Sequence, residues 1–155
     1  NMARFGANML PMGANFTSTS SPVFHYPYVK TRGALETLSK TGQIDPHHGI
    51  KLEYINPATG GPCMPTLSTF MQYLPKGFDT NTYQSTSAWV YCPVEGNGRT
   101  IIANEVIEWA PQDVFVIPSW YPHHHEAEDD AFLFSYSEKA VHDKLGWFKE
   151  KKHER

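Results

Sequence analysis

From residue 50 onward, apolar side chains recur at every second position in short runs, and each run is closed by turn-forming residues. Ile50 to Ile55 alternates and stops at Asn56-Pro57. Further runs cover Thr66 to Leu74, Ser87 to Val94, Arg99 to Ala103, Val106 to Trp109, Val114 to Ile117 and Ala131 to Tyr136. A period of two places alternate side chains on opposite faces of a strand, so each run predicts a strand with one buried face. Between the second and third lies Pro75-Lys76-Gly77, a turn. Between the third and fourth lies Glu95-Gly96-Asn97-Gly98, whose Asn-Gly pair predicts a hairpin. Short strands at this regular spacing predict a closed barrel or a sandwich. Two stretches carry the helical period instead. Thr31 to Lys40 places Ala34, Leu35 and Leu38 on one face, with Thr31 as cap and Gly42 as stop. Lys139 to Leu145 follows the last strand and is expected to pack Val141 and Leu145 onto the barrel.

Residues 1–28 show no periodicity and are rich in Gly, Pro, Ser and Asn, which predicts an extended arm or linker. Its apolar anchors are Met9, Leu10, Phe16, Val23, Phe24, Tyr26 and Tyr28, an aromatic density that predicts a grip on a neighbouring domain or subunit. The chain opens on Asn1 and not on methionine, so it is expected to be a piece of a longer protein. Its 155 residues, 40% hydrophobic and 14% aromatic, suit one domain with one core. A formal charge of −3 gives no footprint for nucleic acid. The one basic cluster, Lys149 to Arg155, is interrupted by Glu150 and Glu154 and predicts a solvated tail. No apolar run is long enough to span a membrane. Cys63 and Cys92 share no motif spacing and are expected to be reduced, in keeping with a cytoplasmic location.

The chemistry concentrates in Gln112 to Glu126, an apolar run that ends in Pro122-His123-His124-His125-Glu126. On an extended strand His123 and His125 face one side and His124 the other. Two imidazoles on one face are candidate ligands for a transition metal, but a catalytic site needs a third protein ligand and an open position. The remaining histidines are His25, His47, His48, His142 and His153, and none lies in a run that lines the same interior. His47 and His48 fall in the turn Asp45-Pro-His-His-Gly49, where exposure is expected. Hydrogen bonding at the barrel mouth is therefore the favoured role for His123 and His125. Glu126, Glu128, Asp129 and Asp130 predict a solvated turn, and Glu95 and Asp113 are expected to bond local backbone. The aromatic set Tyr83, Trp89, Tyr91, Trp109, Phe115, Trp120 and Tyr121 is expected to be core, with a planar-ligand pocket as the alternative.

Gly77, a strand, Glu95-Gly96-Asn97-Gly98, the Asp113 to Pro118 strand and Pro122-His123, in that order, resemble the two-motif layout of the cupin superfamily. More closely, the chain resembles the C-terminal half of the gentisate 1,2-dioxygenase family, which includes salicylate and 1-hydroxy-2-naphthoate dioxygenases. The resemblance is carried by Tyr54-Ile-Asn-Pro-Ala-Thr-Gly-Gly61, Met64-Pro-Thr66, Thr69-Phe-Met-Gln72, Leu74-Pro-Lys-Gly77 and Val90-Tyr-Cys92. It continues through Val94-Glu-Gly96, Asp113-Val-Phe-Val-Ile-Pro-Ser-Trp120, Pro122-His123 and His125-Glu-Ala127. Gly6-Ala-Asn8, Ser21-Pro22 and Tyr26-Pro-Tyr28 fit the segment that joins two such halves.

The resemblance implies cleavage of a hydroxylated aromatic acid by O2 at a non-haem Fe(II) held by a His-x-His pair and a later His. Carried over residue by residue, the first motif fails. Its histidine positions hold Tyr83 and Ser85, and its glutamate position holds Trp89. In the second motif the usual glycines are replaced by Gln112 and Trp120, while His123 survives. The expected fold is therefore all-β, a cupin (double-stranded β-helix or jelly-roll barrel) with an N-terminal arm and flanking helices. Residues 1–28 form the arm and 29–155 the cupin, the C-terminal half of a two-cupin enzyme. No catalytic or metal-binding residue is expected here beyond the candidates His123 and His125. Fe(II) is expected in the other half, and that half, a homo-oligomer, aromatic acid and O2 are the expected partners, with neither nucleic acid nor membrane. The competing reading is a stand-alone metal-free cupin that binds a small planar ligand.

Overall fold

The computed structural model describes residues 12–13 and 20–154. Its strands are β1 (Ile50–Glu53), β2 (Ser68–Leu74), β3 (Tyr83–Ser85), β4 (Trp89–Glu95) and β5 (Gly98–Ile102), followed by β6 (Glu105–Trp109), β7 (Phe115–Ile117), β8 (His123–Ala127), β9 (Ala131–Ser137) and β10 (Glu150–Lys152). They form two five-stranded sheets, ordered β1-β2-β9-β4-β7 and β10-β3-β8-β5-β6. From β2 onward the chain passes between the sheets repeatedly, so the two wind around a shared interior. This is the jelly-roll arrangement that the strand spacing predicts.

The interior holds Phe70, Leu74, Trp89, Tyr91, Phe115, Ile117 and Leu133 from the first sheet and Ile102, Trp109 and Ala127 from the second. A second, smaller core lies on the outer face of the first sheet. There helix α1 (Tyr28–Thr41) seats Leu35 against Ile50, Met71 and Phe132. Leu35 is fully buried, which contributes about 1.5–3 kcal/mol. Arg32 clamps the helix by donating to Glu95 at 3.0 Å and lying over the Phe132 ring, and the Tyr28 hydroxyl donates to Glu95 at 2.7 Å. Glu95 thus holds a helix and does not bond local backbone as expected. Asp113 does, accepting from the Ala110 amide at 2.8 Å.

Several local expectations change. Helix α1 begins at Tyr28 with Pro27 as its cap residue, and Thr31 lies inside it; proline's fixed φ suits the entry to a helix and needs no side-chain cap. The Asn97-Gly98 turn joins strands of different sheets and makes no hairpin. Gly98 is required there by close packing, because a Cβ would collide with the Glu126 carbonyl and the Trp109 ring. The tight hairpin lies instead between β5 and β6, where Ala103 takes φ +52°. Strands β3 and β10, of three residues each, carry no apolar alternation of their own. The tail expected to be solvated contributes β10, which pairs Glu150 with Ser85 and Lys152 with Tyr83. Helix α2 (Lys139–Leu145) forms where the pattern places a helix, but Ala140 is its buried residue and Leu145 is 52% exposed.

The arm residues within the described region lie on this domain. The Ser21 amide donates to the Cys63 carbonyl, the Tyr26 hydroxyl to the Ile55 carbonyl, and the Tyr26 ring meets Tyr54 edge-on. Val23 is buried while Phe24 is exposed. Met9, Leu10 and Phe16 lie outside the described residues. Cys63 and Cys92 are free thiols. Among the described residues no helix is long and apolar enough to cross a membrane.

Two residues that flank β7 take a left-handed backbone. Gln112 and Trp120 have φ of +76° and +65°, the left-handed region that only glycine enters without strain. These are the positions at which the motif ordinarily carries glycine.

Candidate site in the barrel interior

The alternation along β8 turns His123 and His125 inward and leaves His124 and Glu126 on the outer side. Both inward imidazoles are more than 95% shielded. His123 donates from Nδ1 to the Tyr121 carbonyl at 3.2 Å; since a carbonyl only accepts, its proton sits on Nδ1 and Nε2 keeps a free lone pair. His125 bonds Thr100 Oγ1 through Nδ1 at 2.8 Å, and that oxygen also accepts from Trp109 Nε1 at 2.9 Å. Loss of hydration, opposed by the bond to Tyr121, pushes His123 down to about 4. Burial, helped by the neighbouring His123 and by the Lys51 ammonium, drives His125 well below its ordinary value. Both rings are neutral at pH 7. Arg99 on β5 pairs with Glu126 outside the barrel, so Glu126 belongs to a strand, while Glu128, Asp129 and Asp130 form the expected turn.

Tyr83 on β3 pairs directly with His123 in register, with ring centroids 5.7 Å apart. Its hydroxyl donates to Glu150 Oε2 at 2.9 Å, and burial together with that carboxylate raises its pKa. It is held as a phenol. Ser85 Oγ donates to the Ser87 carbonyl at 3.0 Å and accepts from Trp89 Nε1 at 2.9 Å. All three positions of the first motif are therefore engaged in packing and internal hydrogen bonds.

His48, expected in an exposed loop, instead meets the Tyr83 ring edge-on at 4.5 Å. The neighbouring His47 is buried and bonds the His153 carbonyl at 3.0 Å. Loss of hydration, reinforced by Lys51, pushes His48 down to about 3. The turn Asp45-Pro46 places both rings at the barrel rim, with the Asp45 carboxylate accepting from their backbone amides. Only the fold reveals this, because the turn precedes β1 by a few residues and β3 by many.

Lys51 was hidden by its own pattern. The apolar positions of β1 (Ile50, Leu52) face α1, so the intervening lysine faces the barrel. Its ammonium donates to the Tyr91 hydroxyl at 3.1 Å and lies over the rings of Trp89 (4.1 Å), Phe70 (5.1 Å) and Tyr91 (5.3 Å). Burial alone pushes it down to about 7, while the three ring faces favour the charged form. Of the aromatic set, Tyr83, Trp89, Tyr91, Trp109 and Phe115 are core, but Trp120 and Tyr121 are about half exposed.

This donor set does not fit a ferrous ion. Two imidazoles converge without a carboxylate, the nearby phenol is held protonated, and a lysine ammonium already occupies the same interior. Among the described residues, no three His, Cys, Asp or Glu side chains converge on a metal-sized site.

No protein-family model matches the chain. It is 51% identical over 149 residues to gentisate 1,2 dioxygenase 1 of Aquipseudomonas alcaligenes, covering 96% of this chain and 43% of that protein. It is 36% identical to 5-aminosalicylate 1,2-dioxygenase of a Comamonas species, covering 90% of this chain and 38% of that one. In structure it superposes on salicylate 1,2-dioxygenase of Pseudoaminobacter salicylatoxidans, solved as an adduct with gentisate. The TM-score is 0.91 at 28% identity, over 99% of this chain and 44% of that one. The chain thus spans less than half the length of the relatives it matches. In sequence and in fold together, it belongs to the gentisate 1,2-dioxygenase family.

Proposed function

We propose that this chain is the iron-free, C-terminal cupin half of a gentisate 1,2-dioxygenase-like enzyme. The whole enzyme would cleave the ring of a hydroxylated aromatic acid with O2 at Fe(II) held in the other half. The observation that carries this reading is the closed chemistry of the first motif. Tyr83, Ser85 and Trp89 fill the positions where ligands are needed, and each is committed to a partner within the protein. The role of this half is structural. Residues 1–28 serve as the connecting arm and 29–155 as the cupin that buttresses the iron-bearing half. Val114, Val116 and Tyr136, exposed on and beside the outer face of the first sheet, supply apolar area for that contact and for assembly into a homo-oligomer.

Anaerobic loading with Fe(II), followed by desalting and elemental analysis, tests the reading. The chain and its His123→Ala variant are both expected to retain far less than one iron per chain. One iron per chain, lost in His123→Ala, would overturn it.

A further inference from the structure

The barrel interior carries a cation of its own. Lys51 sends its ammonium inward from the edge strand β1, where the Tyr91 hydroxyl accepts at 3.1 Å and the Trp89 ring lies 4.1 Å away. The Phe70 and Tyr91 rings, at 5.1 and 5.3 Å, complete its surroundings. One hydrogen bond and three ring faces hold the charge in place. Burial is the sole influence on the amine, so no neighbouring carboxylate offsets it.

The position of that charge matters because of what lies beyond Tyr91. The His125 ring meets Tyr91 edge-on at 4.9 Å, and the His123 ring lies 5.5 Å from His125. A single phenol ring thus separates the ammonium from the inward imidazoles of β8. The charge of Lys51 acts on His48, His123 and His125 alike, in each case against a further positive charge.

The pair on β8 is otherwise equipped to hold an ion. His123 keeps Nε2 free, because Nδ1 is committed to the Tyr121 carbonyl. Thr100 Oγ1 has two acceptor sites and can take both the Trp109 indole and the Nδ1 proton of His125, which frees the Nε2 of His125 as well. Two neutral imidazoles completed by water suit Co(II), Ni(II) or Zn(II). A unit positive charge about 5–10 Å from a divalent ion, at an effective dielectric of about 20, weakens such binding roughly a hundredfold or more.

We propose that Lys51 is the resident cation of this barrel and excludes divalent metal ions from His123 and His125. The inference rests on the iron-free reading and names the residue that enforces it.

Titration with Co(II) at pH 6.5, followed by the visible absorption that Co(II) develops on imidazole coordination, tests the proposal. At that pH the two imidazoles are neutral and the ammonium predominates. Wild type is expected to give no saturable band. Lys51→Met should bind one Co(II) per chain at least tenfold more tightly than wild type, and adding His125→Ala to Lys51→Met should abolish the gain. Lys51→Gln keeps a donor for Tyr91 without the charge and should gain equally, so it decides the matter if Lys51→Met fails to fold. Lys51→Arg keeps the charge and should exclude Co(II) as wild type does. No gain in the neutral variants, or an equal gain in Lys51→Arg, would overturn the proposal and leave the iron-free reading standing. Saturable binding by wild type, lost in His123→Ala, would overturn both.

Discussion

Strands β3 and β8 lie side by side, Tyr83 against His123, yet they use their polar groups in opposite ways. On β3, and at the start of β4, the hydroxyls and the indole nitrogen bond one another or Glu150, and nothing faces the interior unused. On β8 each imidazole commits one nitrogen and keeps the other, in a barrel where protonation is penalised. The polar groups of β3 and the start of β4 are spent on packing and internal hydrogen bonds, while the inward imidazoles of β8, anchored by a backbone carbonyl and a threonine, are neutral bases with one nitrogen each uncommitted.

The largest expected contrast is in stability. Trp89 is buried against Phe70 and beneath Lys51, and Trp89→Ala should cost about 3–5 kcal/mol. His123→Ala removes a smaller ring with one weak bond and should cost roughly 1–2 kcal/mol. Urea unfolding of both variants decides it, and equal losses would erase the distinction between the strands.

The second contrast is in pH dependence. His123 has its folded pKa pushed to about 4, below the unfolded value near 6.5. The unfolded chain therefore binds the proton first. The stability of the neutral form is complete above about pH 6.5 and is lost as pH falls toward 4, by roughly 1.4 kcal/mol per pH unit from this residue alone. His125 and His48 act in the same direction. Urea midpoints at pH 7 and pH 5 should differ sharply in the wild type and less in His123→Gln. An identical difference in both would show that His123 is not held neutral.

The smallest effect concerns the turns that flank β7. Gln112→Gly should raise stability by roughly 0.5–1 kcal/mol, because relief of the left-handed backbone outweighs the added freedom of the unfolded chain. A thermal melt measures it, and a lower melting temperature would mean that the Gln112 side chain offsets its own strain.

The strands long enough to alternate were legible in the sequence, and Tyr83, Ser85 and Trp89 could be singled out by their counted distances from Gly77. The inward pair His123 and His125 followed from a period of two. Lys51 was not legible. A lysine between two isoleucine-like positions reads as solvent-facing, and only the packing of α1 on the opposite side of β1 reverses that. His48 escaped for a related reason: its partners Tyr83 and His123 are brought to it by β-pairing over long sequence separations, which no local pattern encodes. Gln112 and Trp120 gave no sign of their backbone conformation by residue type, and only their place in the motif pointed to it.

Oxygen uptake with gentisate and Fe(II), measured on this chain alone, decides whether this half turns over by itself. No uptake is expected above that of Fe(II) and gentisate without protein. Catalytic uptake, dependent on the chain and abolished in His123→Ala, would contradict it.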